Sequence, residues 1–268
     1  MHLFQVDAFT NQIFKGNPAG VCILSPDKIQ NSELMQNIAA EMNLSETAFL
    51  SKQGNEYQLR WFTPQTEVEF CGHGTLSSAH ILWETGAENK QDIIKFNTLS
   101  GILTARNVLG KIELDFPTFP IEETPAQENI NIALGIEPTF TGITRKRYFL
   151  EVENYSILKG MSPDFGKLKA IGCPGFIVTC KSNDLEYDFH SRYFAPAGGV
   201  NEDPVTGSSH SSLAPYWSRK LGKNKLMAYQ ASKRGGVLEC ELLPNGRVLV
   251  RGNALTVFKI EMKSDFIL

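Results

Sequence analysis

The feature that most constrains this chain is that it carries one pattern twice. Arg60-Trp61-Phe62-Thr63-Pro64 is echoed by Arg192-Tyr193-Phe194-Ala195-Pro196, and Gly72-His73-Gly74-Thr75 is answered by Val205-Thr206-Gly207-Ser208, one residue further out of step. Downstream, Ser100-Gly101-Ile102-Leu103 matches Gly235-Gly236-Val237-Leu238. Gly110-Lys111-Ile112 matches Gly246-Arg247-Val248, the latter across a Pro244-Asn245-Gly246 hairpin signal. Echoes kept in the same order imply two consecutive copies of one strand-helix-strand design.

Alternating apolar stretches bounded by Gly, Pro and Asn recur at 19–24, 57–62, 93–96, 101–108 and 111–116. Many connections are too short for a helical crossover, which predicts antiparallel pairing. Helical periodicity covers 32–42, with Leu34, Ile38 and Met42 on one stripe and a stop at Asn43. A second helix is predicted to open with Thr124-Pro125-Ala126-Gln127, a capping box with proline at the first helical position, and to close at Gly135. The stretch 117–124 is poor in alternation and punctuated by Pro117 and Pro120, with Pro125 following, so it reads as a linker. The expected division is 1–116, a linker 117–124, and 125–268, with 257–268 allowed to return a last strand to the first half.

Each copy also holds one helix without a clean polar face. The first carries Leu76, Ala79, Ile81, Leu82 and Trp83, the second Leu213, Ala214, Tyr216, Trp217 and Leu221. A helix apolar on most sides is a buried helix, so each sheet is expected to wrap around its own. Pro215 lacks an amide hydrogen and predicts a kink or a start delayed to near Ser212.

Several classes are excluded by composition. The formal net charge of -3, with no long basic run, argues against a nucleic-acid partner. No window approaches the ~18 consecutive apolar residues that span a bilayer, and residues 1–7 lack a signal-peptide pattern, so no membrane partner and a cytoplasmic location are expected. Five cysteines without a C-x-x-C spacing make neither a disulfide framework nor a zinc site, and four of them read as small core hydrophobes.

The chemistry concentrates at the two turns before the buried helices. Free amides and the positive helix end point out of each turn, near Gly72 to Gly74 and Gly207 to Ser208. A facing pair of such turns across a cleft between the halves would clamp a carboxylate. Glu46, His73 and Asp203 cluster in the neighbouring motifs as groups able to move protons. Each has a plainer role open to it: a solvated carboxylate for Glu46, a helix cap for His73, and capping or dipole compensation for Glu202 and Asp203. His73 and His80 make no metal site without a third ligand, and no metal is expected. Cys71, beside a helix N-terminus, is where a thiol pKa would be lowered.

The segments Gly16-Asn17-Pro18-Ala19-Gly20-Val21, Leu44-Ser45-Glu46-Thr47-Ala48-Phe49, Cys71-Gly72-His73-Gly74-Thr75 and Glu202-Asp203-Pro204-Val205-Thr206-Gly207-Ser208 together resemble the phenazine-biosynthesis PhzF-like family, itself similar in fold to diaminopimelate epimerase. The resemblance runs over nearly the whole chain. It implies an α+β fold of two pseudo-symmetric domains, each a mostly antiparallel barrel-like sheet around a central helix, and a homodimer. It also implies a cofactor-free isomerase of a small amino- or hydroxy-carboxylate, with Glu46 as acid and base. By the same carry-over, His73 and Asp203 hold a substrate amine or hydroxyl and Gly72, Gly207 and Ser208 bind its carboxylate. Cys71, Gly74, Thr206 and Asn17 are further candidates in the same motifs. Cys71 matches one catalytic thiol of the epimerases, but the second copy has no partner thiol. Gly74 stands where many relatives have alanine and Glu69 where many have aspartate. Burial is expected to raise the Glu46 pKa. Two other readings stay open: a binder of small carboxylates without turnover, and a Cys71-dependent epimerase or racemase.

Overall fold

The structure, a computed structural model, describes residues 1–263. It divides into two units: Met1–Asp115 with the chain from Arg251 onward, and Phe116–Val250. The first unit runs through β1 (His2–Ala8), β2 (Asn17–Ile23), α1 (Ser32–Met42), β3 (Glu46–Gln53), β4 (Glu56–Phe62), β5 (Glu67–Val68), α2 (Gly72–Glu84), β6 (Ile94–Thr98), β7 (Gly101–Val108) and β8 (Lys111–Pro117). The second holds β9 (Glu122–Glu123), α3 (Glu128–Leu134), β10 (Phe140–Thr144), β11 (Arg147–Glu151), α4 (Tyr155–Gly160), α5 (Phe165–Ile171), β12 (Phe176–Lys181), β13 (Phe189–Phe194), α6 (His210–Leu221), β14 (Lys225–Gln230), β15 (Gly236–Leu243) and β16 (Arg247–Gly252). β17 (Ala254–Glu261) returns to the first unit and lies antiparallel along β1.

Strand pairing exposes the repeat directly. In the first unit β1 and β2 are antiparallel, β2 and β3 parallel, β3 and β4 antiparallel, β4 and β6 parallel, and β6 and β7 antiparallel. The second unit follows the same alternation through β10, β11, β12, β13, β14 and β15. Each parallel pair is spanned by a helical crossover: α1 and α2 in one unit, α4 with α5 and then α6 in the other. The antiparallel expectation therefore needs correcting at these four pairs, where the connection is long enough to carry a helix.

Both central helices are buried as their composition requires. From Gly72 to Trp83 only His80 in α2 is not buried, and the helix touches β1, β2, β3, β7 and β17. Around α6, Tyr216 packs on Phe140 and Phe149, and Trp217 stacks on Phe189 at 5.8 Å. Pro215 lies inside α6 and delays nothing: the helix begins at His210, directly after a 3-10 turn at Gly207–Ser209. The proline leaves the Ser211 carbonyl without its helical donor, and the Phe119 N–H fills that place at 2.9 Å. α1 ends as expected, with Asn43 in the left-handed conformation. The second helix starts later than Thr124-Pro125 suggested. α3 has Gln127 as its N-cap, because the Thr124 N–H bonds the Thr141 carbonyl and extends the pairing of β9 with β10. The predicted linker thus contains strand β9. The return to the first unit begins at Arg251, ahead of 257; residues 264–268 of that expected strand lie outside the described residues.

The Arg-x-Phe echo has a structural cause. Arg60 on β4 grips Glu67 through two bonds of 2.7 Å, lies over Phe62, and donates to the Ile29 carbonyl ahead of α1. Arg192 on β13 grips Glu202 at 2.7 and 3.0 Å, lies over Phe194, and donates to the Leu158 and Met161 carbonyls at the end of α4. In each unit one planar guanidinium ties the strand to the loop that leads into the buried helix and to the first crossover. Arg192→Ala should therefore cost about 3–5 kcal/mol, because Glu202 is left partly buried and unpaired. Urea unfolding of Arg192→Ala, Glu202→Ala and the double variant should show the double losing clearly less than the sum. Additivity would mean the pair is not coupled.

The return strand is fitted by size. A Cβ at Gly252 would stand 2.4 Å from Phe9 Cδ1, and Phe9 is itself held in the left-handed region with φ 62. Gly252→Ala should cost about 1–3 kcal/mol in the same assay, as expected for overpacking.

Candidate active site

The first candidate cluster is built by three neighbouring elements of the first unit. Gly16, at φ +66 with its Cβ position 2.1 Å from the Ala8 carbonyl oxygen, turns the chain so that β2 opens with Asn17. The register of parallel β2 and β3 sets Ala19 against Glu46, the first residue of β3. α2 begins at Gly72 with Cys71 as N-cap, its Sγ accepting the Gly74 N–H at 3.3 Å, so the cap is Cys71 and not His73.

His73 sits at the centre of this cluster. Its Nε2 lies 3.2 Å from Glu46 Oε2 and 3.3 Å from Ser45 Oγ. Its Nδ1 lies 3.2 Å from Asn17 Nδ2 and 3.6 Å from Cys71 Sγ. Ser45 Oγ in turn reaches Asn17 Oδ1 at 3.4 Å. The imidazole is 5% exposed and the Glu46 side chain 20%. Asn17 Nδ2 serves a ring whose Nδ1 is bare, and a half-turn of the amide would offer Oδ1 to a ring protonated on both nitrogens. Both protonation states of His73 are thereby served.

Burial and charge compete in this cluster. For Glu46, burial pushes the carboxyl upward, but the charge of the His73 imidazolium and the closeness of the His73 and Ser45 side chains outweigh it, and the net direction is downward. The expected upward shift is therefore reversed by a neighbour the sequence could not place. For His73, burial pulls downward while Cys71 and Glu46 pull upward, and upward prevails. Burial raises the Cys71 thiol despite His73 and the Gly74 amide, so that side chain is a protonated thiol and the charge acting on His73 is that of Glu46. The lowered thiol pKa anticipated from the helix end is overturned by enclosure. All five cysteines are buried.

The second candidate cluster lies in the other unit. Asp203 Oδ2 accepts the Thr206 hydroxyl at 2.5 Å. Gln230, fully buried at the end of β14, holds this turn from behind, accepting the Thr206 N–H at 2.8 Å and donating to the Asp203 carbonyl at 2.7 Å. Gly207 and Ser208 open the 3-10 turn ahead of α6. Arg147 Nη1 donates to Ser208 Oγ at 3.4 Å, which sets a cation beside the expected carboxylate-binding residue. Sequence reasoning missed Arg147, Gln230 and Ser45. A glutamine ending an apolar strand was the available signal for Gln230; Arg147 was hidden in a short basic run. Glu202 is neither cap nor acid-base group, since Arg192 holds it.

Gly74 also finds its reason here. A Cβ on it would stand 2.8 Å from Trp61 Cδ1 and 2.9 Å from Cys71 Sγ, so the indole occupies the space that alanine would need.

This two-unit α+β fold, with its imidazole-carboxylate pair at the start of a buried helix, has known relatives. Residues 6–260 match the family model described as phenazine biosynthesis-like protein. An uncharacterized isomerase of Halalkalibacterium halodurans is 52% identical, with 97% of each chain covered. The crystal structure of a PhzF-family phenazine biosynthesis protein from Enterococcus faecalis superposes with a TM-score of 0.89 at 39% identity, covering 96% of this chain and 97% of that one. A predicted epimerase from Pseudomonas aeruginosa shares the fold, with a TM-score of 0.77 at 18% identity over 98% of this chain and 99% of that one. The chain belongs to the phenazine biosynthesis-like PhzC-PhzF family, whose curated relatives include proteins named as isomerases.

The pair has a defined pH window. With Glu46 lowered, its contribution to stability is present above the ordinary 4.5 and lost as pH falls through the folded value. With His73 raised, its contribution is present below the ordinary 6.5 and lost as pH rises through the folded value. In metal-free protein, the His73 ring followed by NMR should remain protonated at pH 6.5, and Glu46→Gln should move its midpoint down. A wild-type midpoint at or below 6.5 would contradict the ion pair.

Proposed function

We propose that this protein is a proton-transfer isomerase of a small amino- or hydroxy-carboxylate, with Glu46 as the group that takes and returns the carbon-bound proton. The observation that carries this reading is the placement of Glu46: a mostly enclosed carboxyl 3.2 Å from His73 Nε2, with its Oε2 making no hydrogen bond. That oxygen keeps a lone pair for a substrate proton.

A carboxylate with a lowered pKa is a weak base, and the remedy lies in its neighbour. When His73 passes its proton to a substrate oxygen or nitrogen, the charge that lowers Glu46 is gone and burial is opposed only by Ser45, so the base strengthens as the substrate is polarised. Asn17 and Ser45 follow the ring through that change. The first-turn amides at Gly72 have no helical acceptor and suit a substrate oxygen that gains charge. In the second unit, Asp203 is assigned to a substrate amine or hydroxyl, with Thr206 and Gln230 fixing its position. Gly207 and Ser208, with Arg147 adjacent, are assigned to the carboxylate. The chemistry asks for a carbon acidified by conjugation to its own carboxylate or alkene, which makes the substrate its own electron sink. Cys71, held as a thiol by burial, is a neighbour of the pair in this scheme and not its base.

Incubation in heavy water with a pool of small amino- and hydroxy-carboxylates, read by mass spectrometry, tests the reading without knowledge of the product. Wild type should place deuterium on carbon in one class of compound. Glu46→Gln should bind the same compound and exchange it at least ~100-fold more slowly, the scale expected when a general base is removed. Undiminished exchange in Glu46→Gln would refute the assignment, and exchange lost in Cys71→Ala instead would transfer it to the thiol.

A further inference from the structure

The two groups that move protons in the proposed reaction, together with the thiol beside them, are also a set of metal donors. Among the described residues, Glu46, Cys71 and His73 form the one group of three whose ligand atoms all lie within 4.8 Å of one another. The sequence offered His73 and His80 for this purpose and no third partner. The fold replaces His80 with two donors from elsewhere, one at the start of β3 and one capping α2. Among the described residues, His80 and Glu84, at 3.7 Å, and His190 and Asp184, at 3.3 Å, gain no third donor.

We infer that Glu46 Oε2, Cys71 Sγ and His73 Nε2 form a binding site for a thiophilic divalent cation, zinc in particular. Tetrahedral zinc with bonds of about 2.0–2.3 Å sets its oxygen and nitrogen donors roughly 3.3 Å apart and its nitrogen and sulfur donors roughly 3.6 Å apart. The corresponding separations here are 3.2 Å and 3.9 Å, and the oxygen and sulfur lie within 4.8 Å of each other, so the three side chains draw together around an ion. The second, independent observation is that Glu46 Oε2 is buried and accepts no hydrogen bond although His73 Nε2 is close. Two donors this close that do not bond each other are disposed to share a third atom.

The rest of the surroundings suits a cation as well. Cys71 Sγ already accepts the Gly74 N–H, which stabilises sulfur as it releases its proton to solvent on binding the metal. With the Nε2 proton also released to solvent and Nε2 on the metal, His73 Nδ1–H would be held by the amide of Asn17, the kind of outer partner that fixes a ligating imidazole. One oxygen, one nitrogen and one sulfur donor favour zinc over magnesium or calcium, which need several oxygens. Three protein ligands leave the fourth position to water or to a ligand carboxylate. The site stands whether or not the proposed reaction is correct. If that reaction is correct, an ion there occupies the lone pairs of both Glu46 and His73, and zinc is an inhibitor.

The test uses the whole chain stripped with a chelator and needs no substrate. Zinc competed against a chromophoric chelator should bind at one tight equivalent. Cys71→Ser and Glu46→Gln should each weaken it by at least the ~10–100-fold that loss of a mere outer-shell partner costs. Cobalt in place of zinc should give a near-ultraviolet thiolate-to-metal charge-transfer band that disappears in Cys71→Ser and persists in Cys173→Ser. Serine is itself a good helix N-cap, so Cys71→Ser should keep the fold. Absence of a tight equivalent, a zinc affinity unchanged in Cys71→Ser, or a charge-transfer band surviving that substitution would overturn the proposal. Each outcome is read without turnover, so it is distinct from failure of the heavy-water experiment.

Discussion

Each candidate cluster depends on where the loop before it is pinned, and in each unit the pin is an arginine fork. The fork meets its glutamate five positions before the first turn of the central helix segment, Glu67 before Gly72 and Glu202 before Gly207. An ammonium would hold one oxygen and swing; the guanidinium holds two and fixes the plane. Its remaining N–H groups take carbonyls from the neighbouring crossover, so strand, loop and crossover move together or not at all. The amides and side chains at the helix start, including His73 and Ser208, inherit their positions from that fixed loop. Proton transfer of the kind proposed would need side chains held within tenths of an ångström, and this is the part of the fold that can hold them there.

Much of this was legible in the sequence because the repeat constrains backbone and side chains together. Arg60 and Arg192, the paired glycine turns and the two apolar helices were all visible as echoes, and they led to the α+β design of two similar halves. The parallel pairs were not legible, since periodicity identifies a strand without naming its neighbour. Pro215 misled for a related reason: the Phe119 N–H that satisfies the Ser211 carbonyl comes from nearly a hundred positions away. The failures at the site were electrostatic. Helix position alone argued for an acidic Cys71 and enclosure alone for a weakly acidic Glu46. In the fold the directions come from the weight of burial at one atom and of His73 at the other, and neither can be read without the three-dimensional neighbours. Gln230 is the opposite case, a polar side chain in an apolar strand that fully earns its burial through the Asp203 turn.

Cys71, Trp61 and Gly74 show how closely this set is fitted. The absent side chain of Gly74 is what lets the Trp61 indole lie against the start of α2 beside the thiol. A relative with alanine at that position must therefore place a different or shifted side chain over the helix. The two positions are expected to vary together, and a change at one alone alters the wall around Cys71.

The passage of the chain from Arg251 back to the first unit has a consequence for how the molecule forms. The second unit is one continuous stretch, Phe116–Val250, whereas the first lacks β17 until the chain has passed through the whole of the second. β1 is then waiting beside β2 with one edge unpaired, and Gly252 has not yet met Phe9. During synthesis from the N-terminus, the unit that begins first is thus the one that finishes last. The later-made half can complete its core first, and the exposed β1 edge is the place where a stalled or truncated chain would seek a partner strand.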